Sequence, residues 1–253
     1  MQNFAAVSFP SPGIYVIVYV LTAMVIVKRI VCFANSRKMS ERCVAGKEWT
    51  ANGRGPWIRP VGDRPTGELL PYERRYRDGT EPQLLDIVDV PLKGPQPRTF
   101  HSENWLLEPS SRWILAGHAK WTDLTRLADD PPTLWLNISS TRAGLNDRVA
   151  TTAAHCLDTS LYLLHLGSLK LRVFAPAEDL GRSKRKVQAE FVHRGTEYRF
   201  WVTDPVVERI YLAKADGDYN VGECFITVSL GEPHKGDCYK LVAAIMTAGR
   251  ERR

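Results

Sequence analysis

The sequence predicts a mainly β protein with short helices, built as two OB-like five-stranded barrels in tandem. Three observations carry this. The 253 residues are 44% hydrophobic and 25% charged, enough to bury a core. Sixteen prolines and eighteen glycines, scattered without period, mark many turns and short elements. The C-terminal part reads strand, strand, strand, helix, strand, strand, the chain order of an OB barrel.

The first residues need a separate account. Ile14 to Val27 is an apolar run of 14 residues, short of the ~20 that a spanning helix needs. Residues 1–23 carry no charge and no small-residue cleavage signature, unlike a secretory signal. The run is β-branched and aromatic, which suits a strand. Three readings stand: a chain that starts at Met24, a membrane anchor, and an additional strand. The first is adopted, because Met24–Phe33 reads as the opening strand of a domain. No stable membrane insertion is expected, and the expected compartment is the cytoplasm.

The expected domains are 24–150 and 151–253, after a 1–23 extension. In the first, residues 25–33 form a strand, followed by a basic stretch and a Gly/Pro/Arg-rich loop over 53–60. Residues 84–90 form a strand that Pro91 ends, with a loop over 91–98. Thr122 caps a helix over 121–129, which Pro131-Pro132 terminates. Residues 133–137 form a short strand and 139–160 a connector.

In the second, residues 160–174 form a long strand. Leu169, Leu171 and Val173 take one face, and Lys170, Arg172 and Phe174 the other. Strands 186–191 and 197–203 flank a hairpin at His193–Thr196, where Gly195 supplies the turn. Asp204-Pro205 ends it. A helix follows over 206–213, then strands over 224–230 and 238–246.

The net charge of +6 is spread over the chain, +4 in residues 1–150 and +2 in 151–253, so anion binding must come from local clusters. Five cysteines at irregular spacing, without CxxC, point to buried free thiols rather than a disulfide framework. No metal site and no cofactor is expected. GxSxG, Walker A, GxGxxG and HExxH are all absent. Asp86 and Asp89 sit three apart and face opposite sides of their strand. Asp204, Glu208 and Lys214 lack a fixed geometry for a metal nuclease. The expectation is therefore a non-enzymatic protein without catalytic residues.

Barrels of this class bind single strands by pairing a cationic groove with aromatic platforms. In the second domain Arg182, Lys184, Arg185 and Lys186 form a basic run. Lys170, Arg172 and Phe174 share one strand face, and Arg199 and Trp201 share another. Tyr198, Phe200 and Val202 are more apolar and should face the core, which leaves Trp201 outside beside Arg199. In the first domain Arg37, Lys38, Arg42, Trp57 and Arg59, with Arg74, Arg75 and Tyr76, form a second basic and aromatic set. The competing reading of both sets is solvated surface, and that of Trp201 is an interdomain contact.

Several phrases carry a resemblance: Ile30–Lys38 (IVCFANSRK), Leu84–Leu92 (LLDIVDVPL), Asn104-Trp105-Leu106, Val228–Pro233 (VSLGEP) and Asp237–Ile245 (DCYKLVAAI). The chain resembles, over most of 24–246, a bacterial family of dual OB domain-containing proteins. The resemblance implies two OB-type barrels and recognition of nucleic acid within bacterial defence systems. It implies no particular site residues. The expected ligand is nucleic acid, single-stranded; the alternative is a scaffold that docks a partner effector protein.

Overall fold

The structure is a computed structural model that describes residues 24–50, 53, 55–176 and 184–250. The expectations for residues 1–23 and for Arg182 lie outside the described residues.

The first barrel winds around one long strand. β1 (Ile26–Lys38) pairs by its first half with β4 (Asp86–Pro95) and by its second half with β2 (Glu41–Glu48). A register shift between Cys32 and Ala34 lets the strand turn from one partner to the other. β2 pairs with β3 (Trp57–Val61), β3 runs parallel to β5 (Asn104–Leu107), and β5 returns antiparallel to β4. The five strands close a ring. β6 (Ile114–His118) adds to β4 and ends the sheet order. Gly46 is needed where β2 crosses β1, since a Cβ there would sit 2.1 Å from the Val31 carbonyl oxygen.

The second barrel repeats the scheme. β8 (Leu161–Leu166) and β9 (Lys170–Phe174) flank a bend at Gly167-Ser168. β9 pairs with β10 (Lys186–His193), which pairs with β11 (Thr196–Val202). β11 runs parallel to β14 (Asp237–Met246), β14 pairs with β13 (Cys224–His234), and β13 pairs with β8. Between β11 and β13 lies α3 (Pro205–Leu212), capped by the Asp204 carboxylate, which accepts from Val206 and Val207 N–H at 3.0 and 3.2 Å. Leu171, Val173, Tyr198, Phe200 and Val202 are buried in this core, as the alternation predicts. Arg194 and Gly195 both adopt positive φ, 47° and 79°, the geometry of a tight two-residue hairpin turn.

The barrels pack directly on each other. Ile30–Phe33 is buried on both faces: Ile30 and Cys32 enter the first core, while Val31 and Phe33 join Leu163, Phe225, Ala244 and Met246 of the second barrel. A strand buried on both faces reads as a continuous apolar run, which is what this segment is. Asp129 ties the two barrels further, accepting from the Lys47 ammonium at 2.5 Å, Trp57 Nε1 at 3.2 Å and Leu163 N–H at 2.9 Å. The Thr227 hydroxyl donates to the Phe33 carbonyl at 2.6 Å.

Several expected elements differ. Residues 35–38 and 41–48 are strand, because β1 runs on to Lys38 and turns at Met39-Ser40 into β2. Residues 57–61 are strand β3 rather than loop. β4 passes through Pro91 to Pro95, and the carbonyl that proline retains accepts the Glu108 N–H at 3.1 Å. The helix over 121–129 shrinks to a 3-10 turn at Trp121–Asp123 and α1 (Leu124–Leu127); Asp123, not Thr122, accepts a main-chain N–H there, from Lys120. Residues 133–137 are not a strand, since Trp135 has a φ of 59°. The connector over 139–160 holds β7 (Arg148–Ala150), which pairs with β14, and α2 (Thr151–Ala154). Leu134 and Trp135 already sit in the second core, ahead of the division expected at 150. β12 (Gly217–Asn220) pairs with β9 and was not foreseen.

Cys32, Cys224 and Cys238 are buried thiols, as expected, and burial pushes the Cys224 thiol up to about 12. Cys156 is exposed, on the turn after α2, contrary to expectation. Among the described residues no helix is long and apolar enough to cross a membrane.

Candidate nucleic-acid interface

Since inward side chains alternate with outward ones, β9, β10 and β11 display Lys170, Arg172, Phe174, Lys186, Arg199 and Trp201 on the outer face of the second barrel. Arg172 lies opposite Gln188, and Gln188 opposite Trp201; one register step on, Phe174 lies opposite Lys186. Phe174 and Trp201 flank Lys186 across β10, and their ring centroids are 5.7 Å apart at 31°. The Lys186 ammonium sits 5.3 Å from the Trp201 ring centroid and the Arg172 guanidinium 4.8 Å from that of Phe174. Two rings, each with a cation over it, make one patch. Each exposed cation–ring contact is worth about 0.5–1 kcal/mol. A base that enters exchanges one such contact for stacking worth about 1–3 kcal/mol.

Further along the same face the charges balance. The Lys170 ammonium bonds Glu190 at 2.5 Å and lies 3.4 Å from Asp218; these carboxylates raise its pKa above the ordinary lysine value. Arg172 is 3.8 Å from Asp218. Arg199 lines a depression of about 400 Å³ with Lys170, Glu190 and Glu197. Its backbone pairs with Leu145, so the 139–147 segment borders the face. Gln188, at its centre, is covered: its amide donates to the Ala143 carbonyl at 2.8 Å.

Arg185 does not join the patch. It bonds Asp216 at 2.7 Å and donates to the Leu212 and Lys214 carbonyls at 2.9 and 2.6 Å, closing the C-terminal end of α3.

Of the first-domain set, Arg37, Lys38 and Arg59 line one cavity between the barrels, while Trp57, Arg74, Arg75 and Tyr76 are not among its lining residues. Arg59 is 6% exposed, paired with Glu103 at 2.8 Å and bonded to Ser160 Oγ of the second barrel at 2.8 Å. Trp57 is half-buried between the barrels, edge-on to Phe33. Trp57 and Trp121, which is edge-on to Phe225 at 5.0 Å, are interdomain tryptophans, whereas Trp201 has Phe174 and Lys186 for neighbours. Arg37 and Lys38 cross to the second barrel, bonding Glu208 and Glu232 at 2.8 Å each. Arg74 is buried between Glu41 and Glu81, and the Tyr76 hydroxyl donates to buried Asp86 at 2.7 Å. Of Arg74, Arg75 and Tyr76, Arg75 is the exposed one.

Phe174, expected on the face of Lys170 and Arg172, is the second platform residue beside Trp201. Alternation gave its face, but its place beside Trp201 depends on both β9 and β11 pairing with β10, a register no single strand reveals. The groups weighed for catalysis are engaged elsewhere. Asp204 caps α3 and bonds Arg250 at 2.6 Å, Glu208 holds Arg37, and Lys214 lies over the Tyr211 and Tyr219 rings. Among the described residues no cluster of three or more His, Cys, Asp or Glu is placed to hold a metal.

A family model described as a dual OB-containing domain matches residues 28–245. No curated protein and no solved structure matches the chain.

Proposed function

This chain belongs to the family of dual OB-containing domains, and from that premise we propose that it is a non-catalytic protein that binds single-stranded nucleic acid on the outer face of its second barrel. OB-fold domains in general bind nucleic acids or proteins. The observation that carries the reading is the pair Phe174 and Trp201, 5.7 Å apart, with Lys186 and Arg172 over their rings. Bases stack on the rings while the cations move to phosphate, so one patch supplies both halves of single-strand affinity. In this reading the chain works in the cytoplasm as the sensing component of a bacterial defence system.

The test is fluorescence anisotropy with labelled single-stranded DNA and RNA at low salt. Trp201→Ala should weaken binding by about 1–3 kcal/mol, roughly 5- to 150-fold. No measurable binding by the parent protein, or an unchanged affinity in Trp201→Ala, would refute the proposal.

One observation favours a second reading, a scaffold for a partner protein. β6 ends the first sheet's order and exposes Ile114 and Leu115. A strand edge with exposed apolar side chains is a template for an extended peptide. Capture of a partner that is lost in Leu115→Lys and kept in Trp201→Ala would favour it.

A further inference from the structure

The outer face that carries Trp201 does not stop there. Around the barrel, the register runs from Trp201 to Leu241 on β14, to Ser229 on β13 and to Leu161 on β8. Phe174 and Trp201 are partly exposed on this face. From Leu241 onward the first barrel roofs it, leaving a cavity of about 320 Å³ between the two barrels. That volume is at the lower end for sites that hold a small organic molecule, and such sites favour domain interfaces.

The roof is cationic. Arg37 and Lys38 come from β1 and Arg59 from β3, while Glu232 is the one carboxylate among the described lining residues. Arg59 is more than nine-tenths buried, and its Nε–H has no acceptor. A buried donor left without a partner calls for an explanation, and an anion in the cavity is one. His101 also lines the space. Burial, with Arg59 adding to it, pushes its imidazole down to about 3, so the ring is neutral and its Nε2–H donates to the Leu230 carbonyl at 3.1 Å. The floor is apolar, with Leu161 and Ala243.

We propose that this cavity receives a phosphate monoester borne on a nucleoside, either a free nucleotide or the phosphorylated end of a strand. The strand-end form rests on the platform reading above; the free-nucleotide form does not. Cations on the roof take the phosphate, and the apolar floor takes the body attached to it. Exposed Arg37 and half-buried Lys38 each already hold a carboxylate, Glu208 and Glu232 respectively, so the ligand enters by exchange with pairs that water weakens. Glu232 is then a competitor of the ligand for Lys38.

The test is isothermal titration of the full chain with a nucleoside 5′-monophosphate, inorganic phosphate, and matched single strands phosphorylated at the 5′ end, the 3′ end or neither. Either tight binding of the monophosphate relative to phosphate, or a preference for one phosphorylated end, supports the proposal and identifies the source. Glu232→Gln should tighten that binding, and Lys38→Gln should weaken it about tenfold or more. Both substitutions fall on one partly exposed ion pair, so folding is not at stake. Absence of monophosphate binding together with indifference to end phosphorylation overturns the proposal, as does indifference to both substitutions. Strands without phosphate report on the platform alone, and the monophosphate on the cavity alone, so the two readings fail separately.

Discussion

Glu103→Gln is the perturbation that most sharply tests whether the two barrels share a dry interface. Arg59 and Glu103 are both nearly fully buried, pair at 2.8 Å, and share Ser160, which immediately precedes the second barrel's β8 and is itself 0% exposed. Neutralising Glu103 leaves the Arg59 guanidinium buried and uncompensated. Removing one partner of a buried pair costs about 3–5 kcal/mol, against about 0.2–1 kcal/mol for an exposed pair. For a chain of this size each kcal/mol shifts Tm by about 2–4 °C, so the expected drop is roughly 6–20 °C. Urea denaturation followed by circular dichroism gives the free energy, and a thermal scan gives Tm. The double substitution Arg59→Met with Glu103→Leu should recover most of the loss, because an apolar pair of similar volume needs no partner. A loss below about 1 kcal/mol in Glu103→Gln would mean that water reaches the pair, and the packed interface would be refuted.

Two further expectations follow from buried and exposed cations in the second barrel. Lys240 is 1% exposed, donates to the Leu136 carbonyl and Asn137 Oδ1 at 2.8 and 3.0 Å, and lies near the Tyr198 and Phe200 rings. Burial lowers it to about 7, with Asp147 opposing the shift. The unfolded chain keeps that proton up to about 10.4, so between about pH 7 and 10 it binds more protons than the folded one, and stability rises with pH by up to about 1.4 kcal/mol per unit. Below about 7 both states are protonated and the cost is fully present. Cys32, whose thiol burial raises, pulls the other way above about 8.5, so denaturation midpoints should climb between about pH 7 and 8.5. Lys240→Met should abolish the climb; a flat parent curve would contradict the burial of a charged lysine. For the interface, Lys186→Gln and Arg172→Gln should each flatten the slope of log affinity against log salt by about 0.7 for a single strand. An unchanged slope in both would take these cations off the phosphate path.

The second barrel was legible because its strands alternate cleanly. Tyr198, Phe200 and Val202 read inward and Trp201 outward, and the structure agrees. The first barrel was less so, for physical reasons. β1 is buried on both faces, so it has no period-2 signature, and its continuation into a polar second half looks like a loop. A proline inside β4 reads as a stop, although the strand tolerates it. Charge was the weakest guide. Arg37, Lys38, Arg59 and Arg74 look like a basic surface in the sequence, yet each faces a carboxylate that lies far from it along the chain or becomes adjacent only on folding. Partnering of that kind depends on how the two barrels dock, which no local pattern records.

On the proposed reading a single strand lies across Phe174 and Trp201. Photocrosslinking a single strand that carries a photoreactive pyrimidine, followed by peptide mass spectrometry, tests it directly. Adducts are expected on Phe174, Trp201 or their strand neighbours Arg172 and Lys186. Adducts confined to the first barrel or to β6, or none from a saturated complex, would contradict it.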